Sequence, residues 1–160
     1  MDNITLSGQF IDSPALWVTK DKYLDLETYS VDQGDVIISR AGTVGKMGVV
    51  RSKSPISIIS TNLIRVRLNK NLSPDYFVDL MTYCKGRIGR LKTGSDGSFT
   101  HMNTGILNNL EFPYPPAEVQ ANYLSVKKRV TDFVDKQKIS EDVALNAFNA
   151  LSQKAFAGQL

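Results

Sequence analysis

The chain has 160 residues, 42% of them hydrophobic and 22% charged, with a formal net charge of +3. That length accommodates one domain with a real core plus an appendage, and hardly two full domains. A single cysteine, Cys84, excludes an intramolecular disulfide framework and a cysteine-built zinc site, and no apolar run approaches the roughly 18 residues of a membrane span. With no signal-peptide core at the N-terminus, the expected location is the cytoplasm.

Charge is spread unevenly along the chain. Residues 1–35 carry two lysines against seven acidic residues. Residues 36–74 carry Arg40, Lys46, Arg51, Lys53, Arg65, Arg67 and Lys70 and no acid. A block this long without a carboxylate reads as a surface meant for something negative, or as a solvated basic face.

Met1 to Gly34 is the least regular stretch. Leu6–Pro14 reads as loop and turn, Ala15–Val18 as a short strand with Trp17 in the core, and Val31–Gly34 as a turn. Asp35-Val-Ile-Ile-Ser39 is β-branched and bounded by Gly34 and Arg40-Ala41-Gly42, which predicts a strand. Gly42-Thr43-Val44-Gly45-Lys46 makes a tight loop in which Gly42 and Gly45 permit positive φ. Met47–Arg51 returns as the partner strand, giving a hairpin with a basic tip. A phosphate-binding P-loop is excluded, because that motif needs glycine where Arg40 stands and Ser or Thr where Met47 stands.

Ile56–Ser60 and Leu63–Leu68 continue the strand character. Ile64, Val66 and Leu68 alternate with Arg65 and Arg67, so the two arginines share one face of a half-buried strand. Ser73 caps a helix that has Pro74 at its first position and Asp75 in its first turn. Phe77, Leu80, Met81 and Cys84 form its apolar face, which makes Cys84 a small core residue. Lys85, Arg87, Arg90 and Lys92 follow at near-helical spacing, leading into Thr93-Gly-Ser-Asp-Gly-Ser-Phe-Thr-His101. Hydroxyls and backbone amides in such a loop suit phosphate oxygens, and the basic side chains can reach guanine edges. Thr104–Leu110 reads as one or two helical turns and Leu110–Phe112 as a short final strand.

Pro113-Tyr114-Pro115-Pro116 cannot sit inside a helix or a central strand. From Ala117 there is no Gly or Pro until Gly158. Val119, Tyr123, Val126, Val130, Phe133, Gln137, Ser140, Ala144, Ala147 and Leu151 step alternately by four and three, a mostly apolar heptad-like seam. A continuous helix of about 36 residues would be roughly 54 Å long and would need a partner. The alternative is two shorter helices broken near Lys138-Ile139-Ser140. The fold class is therefore α+β: a β-rich domain with short helices over 1–112, then a long helix over 113–160 that packs as a coiled coil.

Three of these pieces together resemble the specificity subunit of type I restriction–modification systems. Gly34-Asp35 with its apolar run and Gly42-Thr43-Val44-Gly45-Lys46 is similar to the signature of that family's target recognition domain. Leu110-Glu-Phe-Pro-Tyr-Pro-Pro116 with Glu118 and Gln120 resembles the opening of its spacer helix, and Leu151 to Leu160 resembles the close. Members generally carry two recognition domains and two spacer helices, each domain reading one half of a split DNA site. This chain has one of each, so the resemblance implies either a half-subunit that dimerises on a spaced palindrome or a fragment. The abrupt start suggests that part of the domain seen in longer relatives is missing or supplied differently.

On that resemblance the chain is a non-enzymatic reader of double-stranded DNA. Lys46, Arg51, Lys53 and Lys92 are expected at phosphates, and Arg40, Thr43, Arg90, Ser95, Ser98 and His101 at bases. Val119, Tyr123, Val126, Val130, Phe133, Ala144 and Leu151 are expected in a homodimer interface. The implied partners are methyltransferase subunits and a restriction subunit, which would hold the S-adenosylmethionine, ATP and Mg chemistry; no cofactor is expected in this chain. Two other readings remain: a helical interaction module without DNA binding, and a small enzyme using Cys84 or His101. The sequence offers neither paired carboxylates, nor metal-ligand spacing, nor a Ser/His/Asp set.

Overall fold

A computed structural model describes residues 3–5, 7–12, 16–40, 46–84, 104–108 and 111–159. The chain divides into two compact units, Met1–Gln120 and Ala121–Leu160. The first contains helices α1 (Lys20–Asp25), α2 (Pro74–Cys84) and α3 (Thr104–Asn108), and strands β1 (Ser30–Val31), β2 (Val36–Ser39), β3 (Met47–Val49), β4 (Ser57–Ile58) and β5 (Leu63–Val66). Helix α4 (Ala117–Phe156) begins in the first unit and makes up most of the second. The architecture is mixed α+β.

The apolar run of β2 becomes the middle strand of an antiparallel sheet ordered β3-β2-β5. All four of its residues are buried, because both faces of the sheet are covered. Val36 and Ile38 lie across from Val49 and Met47 on β3 and from Val66 and Ile64 on β5. With Phe77, Val78, Met81 and Cys84 of α2 they form the main core. On the opposite face Ile37 packs with Ile4 and Val50, and Phe10, Val31, Ile59 and Leu63 lean on that cluster. The alternation read on β5 holds: Ile64 is buried in the α2-facing core, with Val66 and Leu68 packed against it. Burying a side chain such as Ile38 or Phe77 contributes about 1.5–3 kcal/mol.

Local signals place the ends of the elements. Ser73 starts α2 as read, its carbonyl accepting from the Phe77 amide at 2.9 Å and its hydroxyl from Tyr76 at 3.5 Å. Gly34 has φ +88°, the left-handed conformation that glycine adopts without a Cβ penalty. It turns the chain into β2, its amide donating to the Val50 carbonyl at 3.0 Å.

Four readings of the first unit change. Leu16, Trp17 and Val18 are not a strand, and Trp17 is 76% exposed rather than in the core. The stretch read as irregular before β1 contains α1, capped by the Thr19 hydroxyl, and a 3-10 turn at Glu27–Tyr29. Short polar helices leave little apolar periodicity to read. Glu111 and Phe112 are not in a strand; Phe112 stacks edge-on against Phe77, centroids 5.6 Å apart.

Helix α4 is one unbroken helix of 40 residues, so the two-helix alternative is set aside. Ser140, at the suspected break, donates its hydroxyl to the Lys136 carbonyl at 3.1 Å, a bond that accommodates serine inside a helix. The helix stops at a Schellman motif. Gly158, at φ +67°, donates to Ala155 O at 3.1 Å, and Gln159 donates to Lys154 O at 2.9 Å. No helix among the described residues is long and apolar enough to cross a membrane.

Candidate nucleic-acid interface

The basic block of residues 36–74 does not remain an unopposed positive surface. Arg67 reaches back to the acidic N-terminal stretch and clamps Asp35, Nε to Oδ1 at 2.9 Å and Nη2 to Oδ2 at 2.8 Å. The same guanidinium meets Asp32 Oδ2 at 2.6 Å. Asp35 is 3% exposed and also accepts from the Asp32 amide at 2.9 Å. Burial pushes its carboxyl upward, but the Arg67 bond, the Asp32 amide and the charges of Arg67 and Arg65 outweigh it, leaving its pKa below the ordinary value. Arg65 donates to the Ser30 carbonyl. Arg51 pairs with Asp75 of α2 at 2.6 Å.

Of the cations in this block, Arg40, Lys46, Lys53, Arg65 and Lys70 form no ion pair among the described residues, and Arg65 is taken up by the Ser30 carbonyl. Arg40 and Lys46 sit at the same end of the β2–β3 hairpin. The Ser39 amide donates to the Lys46 carbonyl at 2.8 Å, and the Arg40 amide joins the turn before β5 through Asn62 O at 2.9 Å. Arg40 is exposed and Lys46 half-buried.

Arg51 and Lys53 lie at the other end, some five residues and about 16 Å of extended chain from Lys46. There Asp12 accepts from the Lys53 amide at 2.9 Å and from the Ser52 hydroxyl at 3.3 Å, leaving the Lys53 side chain exposed. The hairpin thus brings Arg40 and Lys46 together and holds Arg51 and Lys53 apart from them. Thr43, Arg90, Lys92, Ser95, Ser98 and His101, with Gly42 and Gly45, lie outside the described residues.

These motifs stand within a shared family pattern. The pattern described as type I restriction modification DNA specificity domain matches residues 8–141, most of the chain. The chain belongs to that family. Among curated relatives of this specificity-domain family, a Methanocaldococcus jannaschii protein named as a type I restriction enzyme MjaX specificity subunit is 27% identical over 135 residues, covering 81% of this chain and 31% of its own length. A solved structure concerned with complex assembly and conformational transition of the type I R-M system matches with a TM-score of 0.61 at 23% identity, over 82% of this chain and 32% of that one. The specificity domain here spans about a third of the length of those relatives.

Read on this fold, the Gly34-Asp35 pair of the specificity-domain signature is a turn followed by a buried acceptor for Arg67. The GD pair was visible in the sequence, but its partner, some thirty residues away, was not. A second position carries more than its motif revealed. Gln120, in the spacer-helix opening, is buried at 2% exposure. Its Oε1 accepts from the Ser73 amide at 2.8 Å, and its Nε2 donates to Asn71 O at 3.0 Å and Pro115 O at 2.9 Å.

The residues expected at a dimer seam all lie on α4 and are exposed, Phe133 at 61% and Val126 at 50% among them. At 3.6 residues per turn they occupy one stripe about 80° wide. Phe148 falls within it and Val134 widens it, whereas Ile139 lies on the opposite side of the helix.

Among the described residues no group of His, Cys, Asp or Glu could hold a metal ion. Cys84 is buried against the α2 core.

Proposed function

We propose that this chain is a DNA-recognition subunit of a type I restriction–modification system, reading one half of a bipartite duplex target. Family membership over residues 8–141 is the observation that carries the reading. In it the free cations at the hairpin tip, Arg40 and Lys46, meet the DNA first, and Lys53 adds a more distant phosphate contact. Arg51, already paired with Asp75, contributes less. Thr43, Arg90, Lys92, Ser95, Ser98 and His101 complete the expected contact set.

A second copy, joined through the α4 seam as a coiled coil, supplies the other half-site reader. Methyltransferase subunits and a restriction subunit carry out the catalysis with S-adenosylmethionine, ATP and Mg; this chain positions them in the cytoplasm and performs no reaction itself.

The test is selection of bound duplexes from a random library by the purified chain, followed by affinity measured against salt. An interrupted palindrome with a steep salt dependence supports the reading, since each neutralised phosphate contributes a slope of about −0.9. Lys46→Ala should reduce that slope by about 1 and Arg51→Ala by less, whereas Arg40→Ala should cost about 1–3 kcal/mol and relax the preference at one base position. Salt-independent failure to select any sequence would favour the helical interaction module instead.

A further inference from the structure

The end of the sheet that holds Arg40 and Lys46 also holds a turn. Strand β2 lies between β3 and β5, so the residue entering β5 stands beside the residue leaving β2. The Arg40 amide donates to the Asn62 carbonyl at 2.9 Å, and the Ser39 amide to the Lys46 carbonyl at 2.8 Å. Lys46, Arg40 and Asn62 are thus carried on three neighbouring backbones, each about 4.8 Å from the next. Ser60-Thr61-Asn62-Leu63 forms the turn, closed by the Leu63 amide on the Ser60 carbonyl at 3.0 Å. It is fixed from below: the Ile59 amide donates to the Tyr29 carbonyl at 3.0 Å, and the side chains of Ile59 and Leu63 pack against the cluster of Ile4, Ile37 and Val50.

On this anchored turn Asn62 is exposed, and neither end of its side-chain amide has a partner among the described residues. Asn3 and Asn69 use theirs locally, Asn3 Nδ2 donating to Ile11 O at 2.9 Å and Asn69 Oδ1 accepting from the Asn71 amide at 3.0 Å. Such bonds to nearby backbone are the ordinary reason for asparagine in a turn. Asn62 is held by its main chain instead, and its side chain is left over. What it adds beside Arg40 is a donor and an acceptor in one plane, without charge. That pair matches the N6 amino donor and N7 acceptor that adenine presents in the major groove.

Given the reading of this chain as a duplex reader, on which this rests, we propose that Asn62 is a specificity-determining residue. Its Oδ1 accepts from adenine N6 and its Nδ2 donates to N7, at a base pair close to the one that Arg40 meets. The spacing suits this role, since about 4.8 Å between neighbouring strands lies between one and two base-pair steps of about 3.4 Å. Lys46, on the far side of Arg40, is left for a phosphate.

The test is selection of duplexes from a random library by the full chain and by its Arg40→Ala, Asn62→Ala and Asn62→Asp variants. The parent's site should contain an adenine one or two base pairs from the position that Arg40→Ala relaxes. Asn62→Ala should lower the preference for that adenine by about 10-fold or more and keep the other positions. Its salt slope should stay unchanged, because a neutral side chain releases no counterion. Asn62→Asp exchanges the donor for a second acceptor, so the preference there should pass from adenine to cytosine, whose N4 amino group is the donor it can use.

Replacing that adenine by 7-deazaadenine, which lacks the N7 acceptor, should weaken binding by the parent and not by Asn62→Ala. Thermal unfolding of both variants should match the parent; should Asn62→Ala not fold, the base switch in Asn62→Asp and the 7-deazaadenine loss in the parent carry the test. An adenine preference that survives in the variants overturns the proposal. So does a loss spread over all positions, which would make Asn62 a support of the turn. A parent that selects no sequence refutes the duplex reading and this inference with it, whereas a defined parental site indifferent to Asn62 overturns this inference alone.

Discussion

The two units of this chain contain similar apolar residue types and use them in opposite ways. In Met1–Gln120, Val36, Ile38, Met47, Ile64, Phe77 and Met81 bury one another between a sheet and a helix. In Ala121–Leu160, Val126, Val130, Phe133 and Leu151 are spaced as regularly but exposed. The first unit can close a core because its strands and α2 come from distant parts of the sequence and face each other. A single helix cannot bury its own stripe, since side chains three and four residues apart lie side by side on one surface. Regular apolar spacing identifies a face; it does not say whether that face is filled from within the chain or from outside it.

The sharpest way to break this comparison is to truncate one aromatic in each unit. Phe77→Ala should cost about 3–5 kcal/mol of unfolding free energy, read by urea denaturation. Phe133→Ala should leave the unfolding of the monomer within about 0.5 kcal/mol; equal losses would mean that α4 is packed within its own chain. Next in size is a charge placed on the stripe. In the proposed homodimer Val126→Asp would remove two valines from the interface at about 1.5 kcal/mol each, and the dissociation constant should rise about 100-fold. Light scattering across concentration would show it, and a mass independent of this substitution would rule out the stripe as the contact.

Asp35→Asn tests what holds the first unit at its charged edge. Losing the paired carboxylate should cost about 2 kcal/mol at neutral pH, the scale of a charge-assisted bond. The sign of the pH dependence follows from the lowered pKa of Asp35. Its contribution is fully present above the unfolded value near about 3.9 and is lost as pH falls through the lower folded value. The parent should therefore lose stability below about pH 4 by a component that Asp35→Asn lacks, measured by thermal unfolding at stepped pH. Smallest is Gly34→Ala. Nothing lies within 4 Å of the added Cβ, so the cost is the left-handed backbone alone, about 1 kcal/mol, and α4 should be unaffected in length by circular dichroism.

The sequence by itself determined the elements whose causes are local. The β-branched run of β2, the Ser73-Pro74-Asp75 start of α2, the proline run before α4 and Gly158 after it each act over a few residues, and each end falls where those residues put it. The alternation on β5 is local in the same sense, and it assigned Ile64 and Val66 to the core face. The three motifs that revealed the family are short patterns of this kind.

Only the tertiary structure decided which charges stay free. Arg67 and Arg51 look identical in sequence to Arg40, yet Asp35, Asp32 and Asp75 are folded against the first two and no described carboxylate reaches the third. The exposure of Trp17 and the burial of Gln120 are likewise decided by what comes to lie beside them. A polar side chain is buried where two irregular segments, the turn before α2 and the proline run before α4, leave it three partners, and periodicity in a sequence carries no trace of such a meeting. Local propensity acts through neighbours along the chain, whereas pairing and burial act through neighbours in space.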